Sequence, residues 1–136
     1  MMGFTVQQLG NEPIVLVIFP LPIHEYLDEL TEIHTQLATI AEQCNRTIYH
    51  IPYSKQIVDL SYSDILLWIS ESRESAPGSI ADPRVHLVLV GTTPMLHLAV
   101  KKFREQFEID VPIFPCLEHA IEYARRQIAA QHLPMM

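Results

Sequence analysis

The sequence predicts an α/β fold, a mixed and mostly parallel five-stranded sheet covered by four helices. Two observations in the second half carry this. Val85-His-Leu-Val-Leu-Val90 is an apolar run closed by Gly91, and Val111-Pro-Ile-Phe114 is a second, shorter one. Each is followed by an amphipathic pattern: Leu96, Ala99, Val100, Phe103 and Phe107 after the first, Leu117, Ala120, Ile121, Ala124 and Ile128 after the second. Strand, helix, strand, helix joined by short connections means parallel strands with crossover helices.

The elements before these fit the same plan. Phe4 to Leu9 alternates loosely, and Gly10-Asn11 is a turn signal, so a short edge strand should lie antiparallel to the next one. Ile14 to Phe19 is continuously β-branched, leucine or aromatic, the pattern of a strand buried on both faces, and Pro20 and Pro22 stop it. Leu27, Leu30, Ile33, Leu37, Ile40 and Cys44 recur at spacings of three and four and predict the first helix. Glu25, Asp28, Glu29 and Glu32 load its start with carboxylates, which suits the positive end of the helix dipole, and Asn45 ends it. Arg46 to Ile51 reads as a strand ended by Pro52. Residues 54–60 read as an irregular connection, and a second helix starts near Ser61 with Ile65-Leu-Leu-Trp-Ile69. Residues 76–83 form the longest loop. The predicted order is β-β-α-β-α-β-α-β-α.

A chain of 136 residues with 49% hydrophobic and 18% charged residues is expected to form one domain, 1–136, around a single core. The net charge of −7 argues against binding a nucleic-acid backbone. No Lys or Arg precedes Arg46, so an acidic face is expected. Cys44 and Cys116 are too few and too far apart for a disulfide framework and read as reduced, buried thiols. The start has no basic segment or cleavage site of a secretory signal, and the longest apolar stretch, residues 13–23, holds three prolines. The expectation is a cytoplasmic protein with no membrane partner.

Few residues point to chemistry. Ser61-Tyr-Ser-Asp64 has the spacing of a capping box, and a phosphate on Ser61 or Ser63 would sit at the positive end of the same helix. Gly91-Thr92-Thr93-Pro94 follows a parallel strand, where open α/β sheets bind ligands. Thr93 as cap and Pro94 at the first helical position explain it structurally; an anion held by Gly91, Thr92 and Thr93, with Asp59 nearby, explains it functionally. The seven histidines include no pair at metal-ligand spacing on one helix, so no metal or other cofactor is expected. No nucleophile elbow or paired carboxylate appears, which makes an enzyme the least favoured class. Lys101, Lys102 and Arg104, then Arg125 and Arg126, form small basic patches. Ile65 to Ile69 wraps about 400° of helix, so at least one of Leu66, Leu67 and Trp68 should face outward or into a partner. A homodimer contact is expected there.

Val85-His-Leu-Val-Leu-Val-Gly91, Val111-Pro-Ile-Phe114 and Leu117-Glu-His-Ala-Ile121 resemble the STAS superfamily, the fold of bacterial anti-sigma-factor antagonists and of the cytoplasmic domains of sulfate transporters. The similarity is greatest to a divergent, STAS-like branch of small bacterial proteins. The resemblance implies a single STAS-like domain acting as a non-catalytic regulatory or protein-interaction module, with partner binding on the second helix and the loop before it. Phosphorylatable members carry Asp-Ser-Ser/Thr-Gly at that point. Here Val58-Asp-Leu-Ser-Tyr-Ser-Asp-Ile65 keeps Asp59, Ser61 and Ser63 but lacks the adjacent hydroxyl pair and the glycine. The alternative function is a small-ligand or anion sensor at the strand ends.

Overall fold

Ile14–Phe19 is the central strand, and five of its six residues are buried, as an unbroken β-branched and apolar run requires. In the computed structural model, which describes residues 3–20, 23–54, 61–74 and 77–131, this strand is β2. Before it comes β1 (Thr5–Gln8). After it come a 3-10 helix (Ile23–Glu29), α1 (Leu30–Cys44), β3 (Ile48–Ser54), α2 (Tyr62–Glu74), β4 (Val85–Leu87), β5 (Leu89–Val90), α3 (Pro94–Phe107), β6 (Ile113–Phe114) and α4 (Leu117–Gln131). The fold is α/β with four α-helices and a mixed sheet. None of the described helices is long and apolar enough to cross a membrane.

β1 is the antiparallel edge strand, with Thr5 opposite Ile18 and Gln7 opposite Leu16. β2, β3 and β4 run parallel, giving a four-stranded sheet in the order β1-β2-β3-β4. β5 and β6 form a second, parallel pair, Leu89 opposite Ile113 and Val90 opposite Phe114. The expected single sheet of five strands is therefore divided, because the run 85–90 breaks at Val88.

Pro52 explains the break. It lies inside β3, in register with Val17, and does not end the strand as the sequence reading had it. Along a parallel strand successive N–H groups point to opposite neighbours. Tyr49 donates towards β2, to the carbonyl of Pro13 (2.8 Å), whereas Ile48 donates to Arg84 on the β4 side (2.8 Å). Pro52 is on the same side as Ile48, and it has no N–H to give. The β3–β4 ladder accordingly closes with Val88 donating to the His50 carbonyl (2.9 Å), and Leu89 then donates to Pro112 beside β6 (3.0 Å).

Side chains alternate across the sheet into two layers. Val15, Val17, Phe19, Ile48, Val85, Leu87 and Leu89 face α1, α2 and α3. Ile14, Leu16, Tyr49, Ile51 and Val88 face α4, whose Ala120 and Ala124 are small enough to lie directly on the strands. Glu12 in the β1–β2 turn accepts two bonds from Arg125, both 2.9 Å, and Gln131 donates to the Tyr49 hydroxyl (2.9 Å), which ties α4 at its middle and at its C-terminal end.

The first helical segment begins as a 3-10 helix, so Glu25, Asp28 and Glu29 precede α1 and do not occupy its first turn. The stripe on α1 is Leu30, Ile33, His34, Leu37 and Ala41, while the side chain of Leu27 lies outside the described residues. Asn45 ends α1 in the left-handed conformation (φ 52°), its N–H donating to Ala41 and Glu42. The long loop is ordered over 77–84 by the carboxylate of Asp82, which accepts from the Gly78 N–H (2.7 Å), the Arg84 N–H (2.9 Å) and the Arg84 guanidinium (2.8 Å). These donors hold its pKa at about 2. Gly78 has φ +82°, and a Cβ there would meet the His34 carbonyl oxygen at 1.8 Å. Only glycine lets the loop approach α1 so closely.

Candidate functional site

α2 is where the sequence puts more apolar surface than one helix face can bury, and its geometry shows how that excess is distributed. Ser61 caps the helix: its Oγ accepts from the Asp64 N–H (3.1 Å) while the Asp64 carboxylate accepts from the Ser61 N–H (2.9 Å). This is the expected capping box, with two otherwise unpaired donors satisfied reciprocally. From that start, Ile65, Trp68, Ile69 and Ser72 turn inward and are buried. Trp68 packs edge-on against Phe103 of α3, ring centres 5.0 Å apart. Trp68 thus belongs to the core, because a residue three on from Ile65 returns to the same side of the helix.

The residues between them face out. Tyr62, Leu66 and Leu67 are 49%, 48% and 42% exposed and are the large exposed hydrophobic residues among those described. Tyr62, Leu66, Ile69, Ser70 and Arg73, at helical spacings of three and four, form one wall of a groove of about 510 Å³; Lys102 and Gln106 of α3 form the other. The Arg73 guanidinium lies 5.9 Å over the ring of Phe107. Lys102 is 3.4 Å from Glu105 on its own helix. The acids of α2 whose side chains are described point elsewhere, Asp64 into the cap and Glu71 towards the Thr31 hydroxyl of α1 (3.4 Å). α2 is therefore apolar along its outside, basic towards α3 and acidic towards α1.

The other predicted site residues are scattered. Ser61 and Ser63 are exposed, with Ser61 committed to the cap. Thr93 is the N-cap residue of α3 but makes no side-chain cap bond, and Pro94 occupies the first turn. The Gly91 N–H donates to the Phe114 carbonyl (2.8 Å), so it is spent on β6. Thr92 is exposed beside it. Asp59 lies outside the described residues. Cys44 and Cys116 are free thiols but only half-buried, not buried as expected, and Cys44 Sγ accepts a long bond from the Gln8 amide (3.6 Å). Lys101, Arg104, Arg125 and Arg126 are exposed, Arg104 beside Asp110 and Arg125 on Glu12.

Two histidines are structural. His34 on α1 and His50 on β3 are both buried; burial holds His34 at about 4 and, together with the charge His34 would carry, His50 at about 3. His50 Nε2 and the hydroxyl of Ser72 are buried without a hydrogen-bond partner among the described residues. Burial also lowers the pKa of His86, which stacks on Tyr49 at 5.3 Å. Among the described residues no three His, Cys, Asp or Glu side chains cluster as metal ligands would.

Arg73 and Gln106 were not singled out from the sequence. The signal was available: Arg73 is seven residues after Leu66 and eleven after Tyr62, the spacing of one helix face. Compared with protein-family models, with curated proteins and with solved structures, the chain matches none.

Proposed function

We propose that this chain is a non-catalytic protein-interaction module, of the regulatory kind that the STAS-like resemblance implies, and that α2 carries its docking face. The observation behind this reading is the concentration of exposed Tyr62, Leu66 and Leu67 on one helix. Grouped exposed hydrophobic residues mark interaction surfaces; scattered ones do not. Polar groups that could position a substrate do not converge in the same way: Ser61 is used as a cap and the Gly91 N–H as a strand donor. The partner is a protein, and a second copy of the chain is one outcome that the test separates. Ser63, exposed at the start of the docking helix, is the residue whose phosphorylation would alter this face directly.

The test compares photo-crosslinking residues at Leu66 and at Glu122, which is exposed on α4 across the sheet, in the cells that make the protein. The expected result is a discrete protein adduct at 66 that disappears with Leu67→Glu, and none at 122. Adducts to the chain itself, matched by a monomer–dimer equilibrium in sedimentation velocity, would make the module a homodimer. Equal adducts at both positions, or none at either, would refute the reading.

A further inference from the structure

We propose that the α2–α3 groove receives an amphipathic helical segment of another protein, its apolar stripe seated on Tyr62, Leu66 and Ile69 and its flanking carboxylates on Arg73 and Lys102. This rests on the interaction-module reading and names the partner's chemistry. Three features of the groove define that chemistry.

The first is shape. Arg73 is eleven residues on from Tyr62, a rise of about 16 Å, or three helical turns. Tyr62 and Leu66 stand exposed on that wall at i and i+4, with the buried Ile69 at i+7 beneath them, which is the complement of a helix presenting its own stripe at the same spacing. A short amphipathic helix fills this length.

The second is charge. The chain carries −7 overall, yet both charged groups lining this groove are cations. Helix α2 keeps its described acids away from it, Asp64 in the cap and Glu71 at Thr31. Arg73 forms no ion pair among the described residues, and its contact over the Phe107 ring reduces the side-chain freedom it loses on binding. Among the described residues Lys102 has only the solvent-exposed contact with Glu105, which a partner carboxylate can replace at small cost. Carboxylates on the incoming helix meet both cations; lysines there meet the same charge twice.

The third feature argues against a second copy. The exposed large hydrophobic residues among those described are Tyr62, Leu66 and Leu67, so among the described residues a second copy offers only the same face. Two such faces together gather two Arg73 and two Lys102 side chains, with Glu105 as the nearby acid on each. That contact sets like charges against each other along the groove.

The experiment uses three dye-labelled 15-residue peptides and fluorescence anisotropy. One has a leucine stripe at i, i+4 and i+7 flanked by glutamates; one has the same stripe flanked by lysines; one keeps the glutamates and replaces the leucines with serine. The expected order is glutamate–leucine tightest, the other two at least tenfold weaker. Leu66→Ser should weaken the first peptide at least tenfold. Arg73→Glu with Lys102→Glu should reverse the preference between glutamate and lysine flanks. All three substituted residues line the surface, and circular dichroism melts verify that the variants stay folded. Absence of binding by the first peptide, affinities for glutamate and lysine flanks within twofold, or an unreversed preference in the double variant would overturn the proposal. If that happens while crosslinks at Leu66 persist, the partner chemistry is wrong and the module reading stands; if the crosslinks are absent too, both fall.

Discussion

Lowering the pH from 7.5 to 5 should destabilise this protein well before its carboxylates titrate, because His34 and His50 are buried neutral. Their folded pKa values are about 4 and about 3, against roughly 6.5 in an unfolded chain. The unfolded state therefore binds protons first, and stability is complete above pH 6.5 and is lost as the pH falls from there towards the folded values. At pH 5 an unfolded histidine is almost fully protonated and either buried one is not. Each then costs about 2 kcal/mol, and the two together about 4 kcal/mol. Against a total of roughly 5–15 kcal/mol for a domain, that is a large share. Asp82, held at about 2, acts in the same direction only below pH 4, so the two contributions separate. The measurement is urea unfolding at pH 7.5, 6.5, 5.5 and 5.0, on the native chain and on His50→Leu. The variant should lose about 2 kcal/mol less than the native chain over the range, the lowered pKa of His86 acting on both, and at pH 7.5 it should be nearly as stable, since it removes a buried ring nitrogen that has no partner among the described residues. A flat profile in the native chain, or the same slope in the variant, would refute the reasoning.

Four further outcomes follow from the packing. Ser61→Ala should cost about 1 kcal/mol in chemical denaturation, whereas Ser61→Asp, which can still cap, should be close to neutral. Trp68→Ala should cost about 3–5 kcal/mol because Trp68 fills the space against Phe103, while Leu66→Glu on the same helix should change stability by less than about 0.5 kcal/mol. Gly78→Ala should cost more than about 2 kcal/mol, since the new methyl group meets the α1 backbone and the loop must withdraw. Reducing agent should leave the melting temperature unchanged, because Cys44 and Cys116 are free thiols.

Periodicity and turn chemistry made much of this fold readable. The edge position of β1, the burial of β2, the Asn45 stop, the Ser61 cap and the pairing of β5 with β6 each follow from a few neighbouring residues. What the chain hid was non-local. Pro52 looks like a strand terminator in isolation, and its real effect, ending one ladder edge so that the next strand shifts to β6, depends on which neighbour its missing N–H would have faced. The candidate site was half legible for the same reason. Five consecutive apolar residues announced surplus surface on α2, but which of them faces outward is set by the phase of the helix on Phe103. That Arg73 and Lys102 share one groove is decided by how α2 and α3 pack, and no local pattern carries it.

The break at Val88 also sets how the molecule comes apart. Backbone hydrogen bonds up to β4 belong to one ladder and those of β5 and β6 to another, with the Val88 to His50 bond as the join among the described residues. Residues 89–131 thus form a contiguous βαβα unit whose opening leaves the hydrogen bonds of the first ladder intact, and which is held to it by side chains: Leu89, Ala99 and Phe103 in one layer, Ala120 and Ala124 of α4 in the other. In native-state hydrogen exchange the amides of Leu89 and Gly91 should open together, at lower free energy than those of β2 and β3. Helix α2 lies on one side of this seam and α3 on the other. A guest in the groove between them fastens the two cooperative units to each other, and its arrival registers as slowed exchange in β5 and β6, strands it does not touch.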